Sequence, residues 1–160
     1  MYKIDGLVSE LQTAYWKIHK EIISLDNKYF YVLAPCNERS IMGILFHLDF
    51  HEQLYLSQYI RKMMYQLEPE FHGFKDEEEW NTHYRMTPWM QLESFRSERD
   101  RNVDLLLSGG NDILDKWGLH LKRGRTSLLD CIQRTIEHDK YHIQHIQDIK
   151  KYFLVDVNED

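Results

Sequence analysis

"SLLDCIQRTIEHDKYHIQHIQDIKKY", residues Ser127 to Tyr152, decides how this chain folds. Turning each residue 100° from its predecessor gathers Leu128, Cys131, Ile132, Thr135, Ile136, Ile143, Ile146 and Ile149 into one broad arc, which Phe153 continues. Glu137, Lys140, Gln144, Gln147, Asp148 and Lys151 fall on the opposite side. That is a helix with one face against a core, opened by the capping-box pattern Ser127-Leu128-Leu129-Asp130. Four polar groups interrupt or border the apolar arc. His142 sits near its middle, His138 about 40° away from it, His145 at its edge, and Asp139 inside it.

Working outward, three more long helical segments can be drawn, and no alternating strand of useful length appears. The first spans about Ile4 to Ser24, with Leu7, Leu11, Tyr15, Ile18 and Ile22 on one stripe. Ser40 caps the second, which continues to about Leu67 and is stopped by Pro69; at 1.5 Å per residue it reaches ~40 Å, a full bundle helix. Thr87-Pro88, a capping residue followed by proline at the first helical position, opens the third, which runs to about Leu107 before Ser108-Gly109-Gly110. The connection "EPEFHGFKDEEEWNTHYRM" is too long for a tight turn. We place a short helix in it from Asp76, packing Phe71, Phe74 and Trp80 over one bundle end, and another short helix in "NDILDKWG". The expectation is an all-α four-helix bundle with a long connection between helices 2 and 3: a single domain over residues 1–155 and a frayed tail at 156–160.

Composition agrees. A chain of 160 residues can bury roughly 70% of the surface it exposes when unfolded, so no disulfide or metal is needed for folding. Lys and Arg number 20 against 26 Asp and Glu, a net −6 that argues against a nucleic-acid partner. Lys122, Arg123 and Arg125 cluster in "HLKRGRTS" and read as a solvated turn rather than an anion site. Cys36 and Cys131 fit no metal or redox spacing and read as free thiols of a reducing cytosol. The N-terminus has no apolar targeting core. The most apolar stretch, "IMGILFHLDF", is broken by His47 and Asp49, so we expect a cytoplasmic protein with no membrane partner.

On the second helix Ile41, Ile44, Leu45, Leu48, Glu52, Tyr55 and Tyr59 mark the buried stripe, with His47 and His51 along one flank. Two long helices thus carry inward or nearly inward histidines and an acidic residue where leucine would pack better. Neutral imidazole suits Zn, Ni, Cu or Fe, and a three-His set leaves coordination positions open for water or a thiolate. A buried Asp139 needs a partner: a histidine network would supply one, as would an arginine such as Arg99 or Arg101. A hydrogen-bonded core histidine, with no metal, is the plainer alternative for each imidazole.

"NERSIMGILFHLDFHEQ" and "GRTSLLDCIQRTIEHDKYHIQHI" resemble the second-helix and final-helix signatures of the DinB/YfiT-like superfamily of metal-dependent four-helix-bundle proteins, and "FRSERDRNVDLLLSG" resembles its third helix. The DinB name denotes DNA-damage-inducible relatives, not the translesion polymerase. The resemblance implies a divalent metal, nickel or zinc, held by His47, His138 and His142. It also implies a homodimer and a small-molecule substrate, with a low-molecular-weight thiol such as bacillithiol or mycothiol as a possible co-reactant. Where the family pattern has Gln three residues after its last histidine this chain has His145, and His51 is a further unassigned imidazole. Two functions follow as expectations. One is a metal-dependent enzyme, a thiol S-transferase or hydrolase, with His51, Glu52, Asp139 and His145 as candidate catalytic groups; the other is a non-catalytic metal- or ligand-binding stress-response bundle.

Overall fold

The computed structural model describes residues 3–35, 38–72 and 86–155. Four helical rods make the bundle among these residues. They are α1 (Ile4–Ile22), a second rod over residues 41–65, α4 (Pro88–Gly109) and α5 (Leu128–Val155). The caps expected from sequence are made: Ser40 Oγ accepts from Gly43 N–H, and Thr87 Oγ1 from Met90 N–H. Ser127 and Asp130 bond reciprocally, Asp130 N–H to Ser127 Oγ at 3.0 Å and Ser127 N–H to Asp130 Oδ2 at 2.9 Å. Gly110, at φ 65°, ends α4 in the left-handed region where a side chain would be strained.

The second rod is not one regular helix. It is α2 (Ile41–Phe50), a π-helical turn (His51–Leu56) and α3 (Ser57–Tyr65), joined without a break. Ser57 N–H bonds to Glu52 O, five residues back, the mark of π winding. In a regular helix side chains four apart drift around the axis. The wider π turn counters that drift and keeps one aromatic column: the His51 ring stacks on Tyr55 at 4.5 Å, Tyr55 packs on Tyr59 at 4.4 Å, and Tyr59 stacks on Phe71 at 3.9 Å.

The sequence suggested no strand, and the structure corrects this with a small three-stranded sheet: β1 (Glu70–Phe71), β2 (Trp117–His120) and β3 (Gly124–Ser127). β1 runs parallel to β2, and β2 and β3 form an antiparallel hairpin. Strands this short carry too few residues to set an alternation, which is why they escape a periodicity reading. Gly118 is required in β2, because a Cβ there would lie 2.2 Å from the Phe71 ring and 2.6 Å from Pro69 O. The short helix placed in "NDILDKWG" is a 3₁₀ turn at Asn111–Ile113, after which the chain enters β2. The one placed from Asp76, with Phe74 and Trp80, lies outside the described residues, as does Cys36.

The apolar core falls into two clusters. One is built around Leu11, Tyr59, Leu106 and Ile132, the other around Ile18, Leu45, Phe95 and Ile146. Along the rods they meet at a buried polar layer: Glu52 lies between Leu48 and Leu56, Arg99 between Phe95 and Val103, and Asp139 between Ile136 and Ile143. No helix among the described residues is long and apolar enough to cross a membrane.

Candidate metal centre

The polar layer resolves the partner of Asp139. Arg99 NH2 reaches Glu52 Oε2 at 2.8 Å and Asp139 Oδ2 at 2.9 Å, and its NH1 donates to Leu11 O at 2.8 Å. Asn102 Nδ2 donates to Glu52 Oε1 at 2.9 Å. Of the two arginines offered by sequence, Arg99 turns inward, while Arg101 pairs with Glu98 at the surface. Burial works against the Arg99 cation, yet Asp139 and Glu52 outweigh it and leave its pKa above the ordinary arginine value. Two carboxylates share one guanidinium, and burial pushes the Glu52 carboxyl up despite Arg99. Glu52 and Asp139 therefore serve packing between rods, and neither lines the cleft described next.

One residue before each of these carboxylates the chemistry changes. His51 and His138 turn to a cleft of about 670 Å³, where their rings stack at 4.1 Å. His47 is one helical turn before His51, and His142 one turn after His138. The ring nitrogens of His47, His138 and His142 converge, with one from each lying within 4.8 Å of the others. His47 Nε2 and His138 Nε2 are only 2.8 Å apart. His145 is drawn elsewhere: its ring packs on Tyr141 at 4.0 Å, and it does not line the cleft.

These residues fit a divalent transition metal. Metal–imidazole bonds of about 2.0–2.1 Å hold ligand nitrogens roughly 3–3.5 Å apart, a spacing that lies between the 2.8 Å of the His47–His138 pair and the 4.8 Å limit of the cluster, so small side-chain rotations meet it. Ligation needs neutral imidazole. Burial, and then His138 and His47, hold His142 down to about 2. The His47–His138 contact brings two ring nitrogens together where either one of them carries a proton or both direct lone pairs at a cation. His138 Nδ1 and His142 Nδ1 are buried without hydrogen-bond partners among the described residues. Asp139 Oδ1 is 3.9 Å from His138 Nδ1, beyond hydrogen-bond reach, so Asp139 is committed to α4 rather than to orienting the imidazole.

The rest of the cleft comes from residues to which the sequence assigned no site role, Lys122 and Arg123 among them as a solvated turn. Arg134 lies one turn before His138 on the same face of α5, a spacing that could have flagged it. Lys122 and Arg123 come from the hairpin turn, and Arg123 NH1 donates to Tyr55 Oη at 3.0 Å. His120 and Glu137 also border it. Glu137 projects away from the bundle core as expected, and lines the cleft because the hairpin supplies a wall outside the bundle. Cys131 is a buried free thiol, and burial pushes its pKa up to about 12, away from nucleophilic use.

Four rods around a polar layer, with a histidine cluster beside it, form a four-helix bundle with a YfiT-like fold. One solved structure with this fold is YfiT from Bacillus subtilis, described as a probable metal-dependent hydrolase with an unusual four-helix bundle topology. It matches with a TM-score of 0.82 and 12% sequence identity, covering 92% of this chain and 86% of that one. No family model and no curated protein matches the sequence. At 12% identity the likeness carries the fold alone.

Proposed function

We propose that this chain is a metal-dependent hydrolase of small molecules, with His47, His138 and His142 holding one divalent ion, nickel or zinc. The observation that carries the reading is the convergence of three imidazoles from two rods, two of them, His47 and His138, on the wall of a cleft large enough for a small-molecule substrate and the third, His142, buried behind them. A bound divalent ion supplies Lewis acidity and lowers the pKa of water, or of a low-molecular-weight thiol in its place. The protein's own residues supply the rest. His142, buried and neutral, keeps its lone pair available at neutral pH. His51 lies against His138, and burial followed by the His138 neighbour holds its pKa well below the ordinary imidazole value, so it stays neutral and lines the cleft as a hydrogen-bonding ring that positions the nucleophile rather than one that takes up its proton. Phe50, Leu54 and Tyr141 line the cleft and shield a substrate from bulk water.

Glu52, Asp139 and His145 have no place in proton transfer on this reading, because the first two are bound to Arg99 and the third faces Tyr141. The homodimer belongs to the same proposal, and sedimentation velocity reads it directly.

The test is elemental analysis of untagged protein, followed by turnover of model esters, amides and thiol–electrophile pairs by metal-loaded protein. We expect about one transition-metal ion per chain and ester or amide turnover that a His47→Ala variant lacks. Thiol-dependent turnover without hydrolysis would move the assignment to a transferase. Metal bound with no turnover of any class would leave a binding protein, and absence of metal uptake would overturn the centre itself.

A further inference from the structure

The outer part of the cleft has a composition unlike the rest of the molecule. In a chain of net charge −6, Lys122, Arg123 and Arg134 converge on one wall and mouth from two separate elements, with Glu137 as the carboxylate of the lining. Arg123 is positioned by Tyr55, through the 3.0 Å hydrogen bond and a guanidinium 5.7 Å from the ring centroid. Neither Lys122 nor Arg134 forms an ion pair with a carboxylate among the described residues, whereas Arg125 is spent on the Trp117 ring at 4.1 Å.

An independent observation points the same way. His120 lines this cleft yet is only 2% exposed. Its Nδ1 accepts the Lys122 backbone N–H at 3.1 Å, which assigns the proton of the neutral ring to Nε2. That Nε2 is buried and has no hydrogen-bond partner among the described residues. A buried N–H without an acceptor costs about 1–3 kcal/mol, and an anionic oxygen entering the cleft would satisfy it.

We infer that this part of the cleft recognises an anionic group, a carboxylate or a phosphate, on the small molecule that the site acts upon, held by Lys122, Arg123, Arg134 and the His120 Nε2–H. The inference rests on the hydrolase reading for what happens at the other end of that molecule, but anion recognition itself requires no metal. The hairpin then acts as a specificity element, because it supplies three of the four donors.

Calorimetric titration of metal-free protein at pH 8 tests it, with phenyl phosphate, benzoate and neutral benzamide as probes and metal uptake measured separately. At least one of the two anions should bind, and should bind about tenfold more tightly than benzamide. Which of them binds decides between phosphate and carboxylate. Lys122→Gln combined with Arg134→Gln should weaken that anion about tenfold and reduce its salt dependence, while Arg125→Gln leaves it unchanged. Glu137→Gln should tighten binding about threefold, a gain that structural damage would not produce. Equal affinity for benzamide, absence of binding by both anions, or insensitivity to the Lys122/Arg134 pair overturns the inference. Failure of metal uptake with anion binding intact would overturn the hydrolase reading and leave this site standing.

Discussion

The same two rods carry two polar clusters that are one residue out of step. Glu52 and Asp139 point to the bundle interior and meet Arg99; His51 and His138, their immediate predecessors, point to the cleft and meet other imidazoles. One residue of helical rotation separates a set whose charges are matched inside the protein from a set with nitrogens left over. Buried carboxylates that find a guanidinium hold rods together. Imidazole nitrogens that converge on one point with no acidic group among them are where a cation can enter, and this is why the metal assignment falls on the histidines and not on the acidic residues beside them.

The largest effect should come from breaking the matched set. Arg99→Met leaves Glu52 and Asp139 facing each other in the core, and urea unfolding should report a loss of about 3–5 kcal/mol. Adding Glu52→Leu and Asp139→Leu should return most of it, because the desolvation cost leaves with the charges. If Arg99→Met is as stable as the parent, the polar layer is not the structural element described here.

The unmatched set should behave oppositely. Removing His142 as His142→Leu should change metal-free stability at pH 8 by less than about 1.5 kcal/mol, because its buried Nδ1 has no partner to lose. What it should remove is stabilisation by added metal, which for the parent is about 2.7 kcal/mol at one hundred times the dissociation constant. Thermal melts with and without nickel or zinc measure both quantities. Undiminished metal stabilisation in His142→Leu would displace that residue from the ligand set.

Acid separates the clusters again. His142 binds its proton at about 2 when folded against an ordinary value of 6.5, so below 6.5 the unfolded chain takes up a proton that the folded one does not. Metal-free stability is therefore full above about 6.5 and falls as pH drops, with a slope from this residue approaching about 1.4 kcal/mol per pH unit. Glu52 has the reverse sign: its folded pKa is raised, so acidification through its range favours the fold. The difference between parent and His142→Leu isolates the histidine, and equal slopes between pH 6.5 and 5 would contradict the depressed pKa.

Much of this was legible before any coordinates. The capping residues Ser40, Thr87 and Ser127 and the apolar stripes specify the rods, since each rests on local chemistry. The histidine cluster was legible as helical facing, with the family resemblance naming its three members. Arg99 stood among the options for Asp139 because a buried carboxylate demands a cation. The π turn at His51–Leu56 was not legible, because no glycine or proline marks it. The hairpin was hidden for a different reason. Its strands are held by backbone pairing and by the Gly118–Phe71 approach, neither of which has a periodic signature, and without the hairpin Lys122 and Arg123 read as a solvated turn.

The smallest effect is expected at His145, where this chain departs from the pattern of the family its sequence resembles. The residue is partly buried, its ring lies 4.0 Å from Tyr141 and 5.6 Å from His142, and it borders neither cluster's polar partners. Its nearness to His142 is one of position along the helix: three residues on, it shares a side of α5 but points past the cleft. His145→Ala should therefore shift stability by no more than about 0.5 kcal/mol and leave metal stoichiometry unchanged. Elemental analysis beside His142→Leu gives the contrast, with metal lost in one variant and kept in the other. If His145→Ala also loses the ion, the centre extends along α5 beyond three imidazoles, and the boundary between the matched and unmatched clusters would have to be redrawn one turn further from Arg99.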